Sequence, residues 1–117
     1  MILSPSLKLQ ILLTAAKTTN DMDVHVDCYL WNRAGERTKP LPFRTVSNGV
    51  TATTILAAPP QDCIYEPSRI AIYNKDTADK IAIVQTTDGT TVAIDVRISI
   101  TTLHSLIWSP ATDWYLT

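Results

Sequence analysis

Apolar and polar residues alternate with a period of two along most of this chain, the spacing of a strand buried on one face. Leu7, Leu9, Ile11 and Leu13 alternate with Lys8 and Gln10. From Asp23 to Trp31, Val24, Val26, Cys28 and Leu30 share one face, while Asp23, His25, Asp27, Tyr29 and Trp31 share the other. Shorter strands are expected over 43–46 and 50–57, with Asn48-Gly49 between them as a hairpin signal. From Ile70 onward the pattern reads strand, turn, strand, turn, strand, a β-meander. Asp88-Gly89 supplies its tight turn, and Val92, Ile94, Val96, Ile98 and Ile100 continue the alternation.

The breaks in the pattern organise the rest. Pro5 sits in residues 1–6, which are expected to form an extended N-terminal arm ahead of a single domain over 7–117. Residues 32–42 form a charged loop holding Pro and Gly, long enough to be a functional surface. Pro59, Pro60 and Pro67 mark a stiff crossover that is expected to stay out of a sheet interior. No stretch carries a helical period. The expected fold is all-β: one small β-sandwich or jelly-roll-like domain of about eight short strands.

Composition narrows the function. Seventeen threonines, β-branched and stiff at χ1, suit pleated surfaces. A net charge of -1 with scattered Lys and Arg leaves no footprint for a phosphate backbone, so nucleic acid is not an expected partner. No apolar run approaches the roughly 20 residues that cross a bilayer, so no membrane partner is expected either. Residues 9–16 have the apolar character of a leader, but Lys8 and Gln10 give them a strand pattern and no basic region precedes them.

Candidate chemistry is sparse. Asp23, His25 and Asp27, with Asp21 beside them, would line up along one strand face and could hold a divalent cation. A solvated strand face accounts for the same residues, and no second set of oxygen ligands is identifiable, so no metal site is expected. Asp76, Asp79 and Asp88 fall at turns, where aspartate bonds to nearby backbone N–H groups. No catalytic motif occurs, and neither a catalytic residue nor a cofactor is assigned. Cys28 and Cys63 read as two thiols acting as small apolar residues, with a disulfide as the alternative. Trp108 and Trp114 are expected to cap the core, and Trp31 lies beside Tyr29 on the polar face of its strand.

The C-terminal part resembles the small β-rich virion proteins of tailed bacteriophages. The resemblance rests on Ile70-Ala71-Ile72-Tyr73-Asn74-Lys75-Asp76-Thr77, a following strand over 80–86, the Asp88-Gly89 turn, and a close on Leu106-Ile107-Trp108 and Trp114. It departs at Asp113, where such proteins carry Gly before the last Trp, and at Thr101-Thr102-Leu103-His104, where a turn glycine is missing. The resemblance implies a capsid cement or decoration protein that binds the outside of the head and stabilises contacts between major capsid subunits. It implies self-association as a dimer or trimer, and a place on the capsid surface after assembly in the host cytoplasm. A neck or tail accessory protein, or a carbohydrate- or receptor-binding module on the virion, is the alternative. Under the cement reading the interface residues are expected to be Leu3 and Pro5 in the arm, Tyr29 and Trp31 on the strand face, and Leu41 and Phe43 after the long loop.

Overall fold

A computed structural model of the chain describes residues 1–40 and 42–117. Ten strands follow one another: β1 Lys8–Leu13, β2 Asp23–Trp31, β3 Arg37–Thr38, β4 Phe43–Val46, β5 Thr53–Leu56, β6 Ile64–Tyr73, β7 Lys80–Thr87, β8 Val92–Ile100, β9 Ser105–Ser109 and β10 Asp113–Leu116. No helix occurs among the described residues. The strands form two antiparallel sheets, one of four strands in the order β5-β1-β7-β8. The other has six, in the order β10-β9-β6-β2-β3, with β4 also pairing β2. The fold is therefore the expected β-sandwich. Leu9, Ile11 and Leu13 of β1, Val24 and Val26 of β2, and Ile70 and Ile72 of β6 are all buried in its single core.

Several local expectations change. The segment from Ile70 onward is not one meander. β7 and β8 form a hairpin in the four-stranded sheet, whereas β6, β9 and β10 belong to the other sheet. Asn48-Gly49 does turn tightly, with Thr51 N–H donating to Asn48 C=O. It joins no hairpin, however, because β4 pairs with β2 and β5 with β1; the turn carries the chain between sheets. Pro67 lies inside β6, opposite Cys28. The position tolerates proline because β9 covers only Ile70 to Tyr73, leaving Pro67 on a local edge beside a break in register.

The N-terminal segment folds back rather than extending as an arm. Leu3 exchanges both backbone hydrogen bonds with Tyr65, at 2.9 and 3.0 Å, and its side chain is 0% exposed. Leu3 is thus part of the domain's own core and unavailable as an interface anchor. Burying its side chain returns the transfer free energy that an exposed arm would forgo.

The polar centre of the fold is Asn74-Lys75-Asp76-Thr77, where β6 hands the chain to the other sheet. Asn74 is fully buried. Its side-chain amide donates to Ile100 C=O at 2.8 Å and to Ala78 C=O at 3.1 Å, and its carbonyl accepts Asp76 N–H at 3.0 Å. Its backbone holds the β8–β9 turn, donating to His104 C=O and accepting Leu103 N–H. The Asp76 carboxylate accepts the backbone N–H groups of Thr18, Thr19, Asn20 and Thr77, and the Thr19 hydroxyl. Burial alone would push this carboxyl up, but those four backbone donors outweigh it and hold it well below the usual carboxylate range.

Asp113, and Leu103 within the Thr101–His104 turn, lie in the left-handed region. Leu103 has φ 62° and Asp113 has φ 56°. For a leucine this costs about 1–2 kcal/mol, whereas aspartate tolerates it better.

Three outcomes follow from this fold. Leu3→Ala should lower the unfolding free energy in urea by about 2–5 kcal/mol, the range for truncating a buried leucine. Leu103→Gly should raise it by about 0.5–1 kcal/mol, because relief of strain exceeds the added chain entropy. Asp76 titrates lower in the native than in the unfolded state, so its contribution is complete above the unfolded value near 3.9 and drains away as pH falls below it. Melting temperatures between pH 2 and 7 should therefore fall steeply below about pH 4, and the drop should flatten in Asp76→Asn.

Candidate functional surface

Directly opposed residues share a sheet face, so the register defines what each outer face presents. On the six-stranded sheet, Tyr115, Ile107, Ala71, His25 and Arg44 form one row across β10, β9, β6, β2 and β4. Ser105, Tyr73, Asp23 and Val46 form the next. The short Ala71 side chain leaves a shallow hollow of about 650 Å³, walled by Asp23, His25, Arg44, Val46 and Tyr73.

The acidic row expected on β2 is present on that face but dispersed in its bonding. Asp23 pairs with Lys75 at 2.9 Å. Asp21 accepts the Ser47 hydroxyl at 3.0 Å and the Gly49 N–H at 2.8 Å. Burial raises the Asp21 carboxyl, but these donors and Lys17 together bring it below its ordinary value. Asp27 lies 3.9 Å from His25 Nε2, too far for a hydrogen bond, and that nitrogen is buried without a partner among the described residues. Asp23 ties β2 to the loop after β6, and Asp21 ties two loops together. The described residues contain no group of three metal-ligating side chains.

The expected interface residues do not converge on one surface. Tyr29 and Trp31 are half-buried side by side, with the Arg37 guanidinium 4.4 Å from the Tyr29 ring centroid and 5.6 Å from that of Trp31. This cation–π contact contributes about 0.5–1 kcal/mol at such an exposed site and covers the rings. Phe43 packs edge-on against Tyr65, with centroids 5.9 Å apart, at the margin of the core. Pro5 is exposed in the turn closed by Leu7 N–H on Ser4 C=O. Leu3 is buried, as described above, and Leu41 lies outside the described residues. Trp108 is buried and Trp114 half-buried beside it, centroids 6.4 Å apart, as core caps.

A surface that the sequence reading missed runs along β8, the edge of the four-stranded sheet. The register there passes from Val84↔Val96 to Gln85↔Ile94, so Asp95 is one residue too many: a β-bulge. The bulge shifts the alternation. Val96, opposite the fully buried Val84, faces the core. Ile94 instead shares the outer face with Gln85 and Gln10, which hydrogen-bond to each other, and Val92 shares it with Thr87 and Lys8. Ile94 is 60% exposed and Val92 52% exposed. Asp95 accepts the Trp114 indole N–H at 2.6 Å, which links the β8 edge to the β10 edge of the other sheet. β10 adds exposed Tyr115 and Leu116. An unbroken period of two predicts Val92, Ile94, Val96, Ile98 and Ile100 on one face; the extra residue leaves no signature in the alternation.

This geometry defines an all-β sandwich with two open apolar edges linked through Asp95 and Trp114. Compared with protein-family models, curated proteins and solved structures, the chain matches none.

Cys28 and Cys63 are free. Cys28 lies opposite Pro67, four residues along β6 from Cys63, a separation of roughly 13 Å at strand rise and beyond disulfide reach. Burial, with the Asp27 charge adding to it, pushes the Cys28 thiol up to about 11. Alkylation of the native protein at pH 8, read by peptide mass spectrometry, should leave Cys28 unmodified until the chain is unfolded.

Proposed function

We propose that this chain is a structural protein of a tailed-phage particle, a cement protein on the outside of the head that stabilises contacts between major capsid subunits. The observation that carries this reading is apolar exposure at two open sheet edges, Val92 and Ile94 on the outer face of β8 and Tyr115 and Leu116 on β10. Exposed apolar residues at a strand edge suit protein contact, and unpaired strand edges add backbone donors and acceptors to them. The Asn74–Asp76 network ties the loops at one end of the sandwich together, so docking costs little ordering entropy. Repetition of one weak contact over a shell then multiplies its effect through avidity. The reading assigns no catalytic residue and no cofactor.

The hollow over Ala71 favours a second reading, a carbohydrate-binding surface, since Tyr73 offers a ring and Asp23 and Arg44 offer hydrogen-bonding groups. Glycan-array binding lost in Tyr73→Ala would establish it in place of the first.

Particles of the phage that encodes the chain, purified and separated into heads and tails, test the main reading by mass spectrometry. The chain should stay with the heads in high copy, and heads lacking it should release DNA at a lower temperature. Recovery with tails alone, or absence from particles, would overturn it.

A further inference from the structure

We infer that Asp21 protects the Asn48-Gly49 bond from deamidation through a succinimide, so that Asn48 is a modification site held closed by the fold. The inference goes beyond the structural-protein reading and does not depend on it. Asn48 is the one asparagine of the chain that glycine follows. Glycine has no Cβ, so its nitrogen is unhindered and can attack the asparagine side-chain carbonyl carbon. The bond from Gly49 N to Asn48 Cγ forms, the nitrogen gives its proton to solvent base, and Nδ2 takes a proton from water and leaves as ammonia. Water then opens the succinimide at either carbonyl, giving aspartate or an isoaspartate whose main chain runs through the side chain. The net change is one water consumed and one ammonia released, with no oxidation or reduction.

Asn48 is exposed at its turn, so water and base reach its side chain. The Gly49 nitrogen is restrained instead. Its N–H donates to Asp21 Oδ1 at 2.8 Å, a charge-assisted bond of the stronger kind. At the other end of the same peptide unit, Asn48 C=O accepts Thr51 N–H at 3.0 Å. Gly49 C=O in turn accepts Leu13 N–H, from the end of β1, at 2.9 Å. Turning the peptide unit so that its nitrogen meets Asn48 Cγ breaks the first two of these bonds.

Asp21 is not free to move aside. Its carboxylate also accepts the Ser47 hydroxyl at 3.0 Å and lies 3.5 Å from Lys17 Nζ, and its side chain is only 14% exposed. A succinimide nitrogen carries no hydrogen, so ring closure leaves this sheltered carboxylate one donor short. The negative charge beside the nitrogen also opposes loss of its proton. Deamidation therefore waits for the turn to open. The chain passes here from β4 in one sheet to β5 in the other, so an isoaspartate, which lengthens the main chain by one carbon, would fall on a sheet crossing.

Incubation of the purified chain at pH 8 and 37 °C, with the Asn48 peptide followed by mass spectrometry and isoaspartate labelling, tests the restraint. The folded chain should deamidate about tenfold or more slower than the same chain in guanidinium chloride, because reaction needs the turn open. Asp21→Ala, shown by circular dichroism to be folded at that temperature, should deamidate several-fold faster than the parent chain. Lys17→Ala leaves the Gly49 bond in place and should match the parent rate. Asp21→Asn keeps an uncharged acceptor and should fall between the two; it carries the test if Asp21→Ala does not fold. A parent chain that reacts as fast folded as unfolded would overturn the inference. Folded Asp21 variants no faster than the parent would overturn it too, and slower ones would mark the carboxylate as the base of the reaction.

Discussion

The Asp76 carboxylate, with the Asn74 amide beside it, is the constraint on which the rest of the structure depends. A sandwich of two sheets needs its chain to change sheets, and every change exposes backbone groups that no ladder satisfies. Here the chain crosses between β6 and β7 and again between β8 and β9, next to each other in space. Asn74 serves both crossings, donating to Ile100 C=O and holding the backbone of Leu103 and His104. Asp76 reaches a third connection, the one between β1 and β2, through Thr18, Thr19 and Asn20. Three loops are thereby fixed at one end of the sandwich, with the Thr18–Asp76 bond alone spanning 58 positions in sequence. The arrangement also explains why Leu103 accepts a left-handed backbone: its N–H is held by Asn74 C=O at 2.7 Å.

At the other margin the constraint is reversed. β8 and β10 are edges whose outer backbone groups have no partner among the described residues, and the Asp95 bulge turns two apolar residues of β8 away from the core. A fold tightly tied at its loops and open at its edges suits assembly. The edges expose apolar area and unpaired hydrogen-bonding groups. The exposed apolar residues at these two edges give the structural-protein reading its physical content.

Much of this was legible in the residues. Alternation located β2 and β4 at their observed bounds and put Val24, Val26 and Cys28 on the buried face, because burial of one sheet face imposes a period of two. Asp88 bonds to the N–H groups of Thr90 and Thr91, and Asp76 to that of Thr77, as turn aspartates should, whereas Asp79 and the other bonds of Asp76 reach distant loops. Sheet membership was not legible, since an alternating strand looks the same whichever sheet it joins. The Asn48-Gly49 turn and the supposed meander failed for that reason. Leu3 was misplaced because Pro5 signals a break in pairing without saying whether the chain before it folds back. The β8 surface was hidden by the bulge, since Val92 and Ile94 continue the pattern of Val96, Ile98 and Ile100 yet face the opposite way.

Native-state hydrogen exchange at the backbone amides of Thr18, Thr19, Asn20 and Thr77 tests the central claim most directly. If Asp76 ties these loops into the cooperative fold, the four amides should exchange only with global unfolding, as slowly as those of β1 and β7. Exchange at the rate of a free surface loop, with the strands still protected, would contradict it.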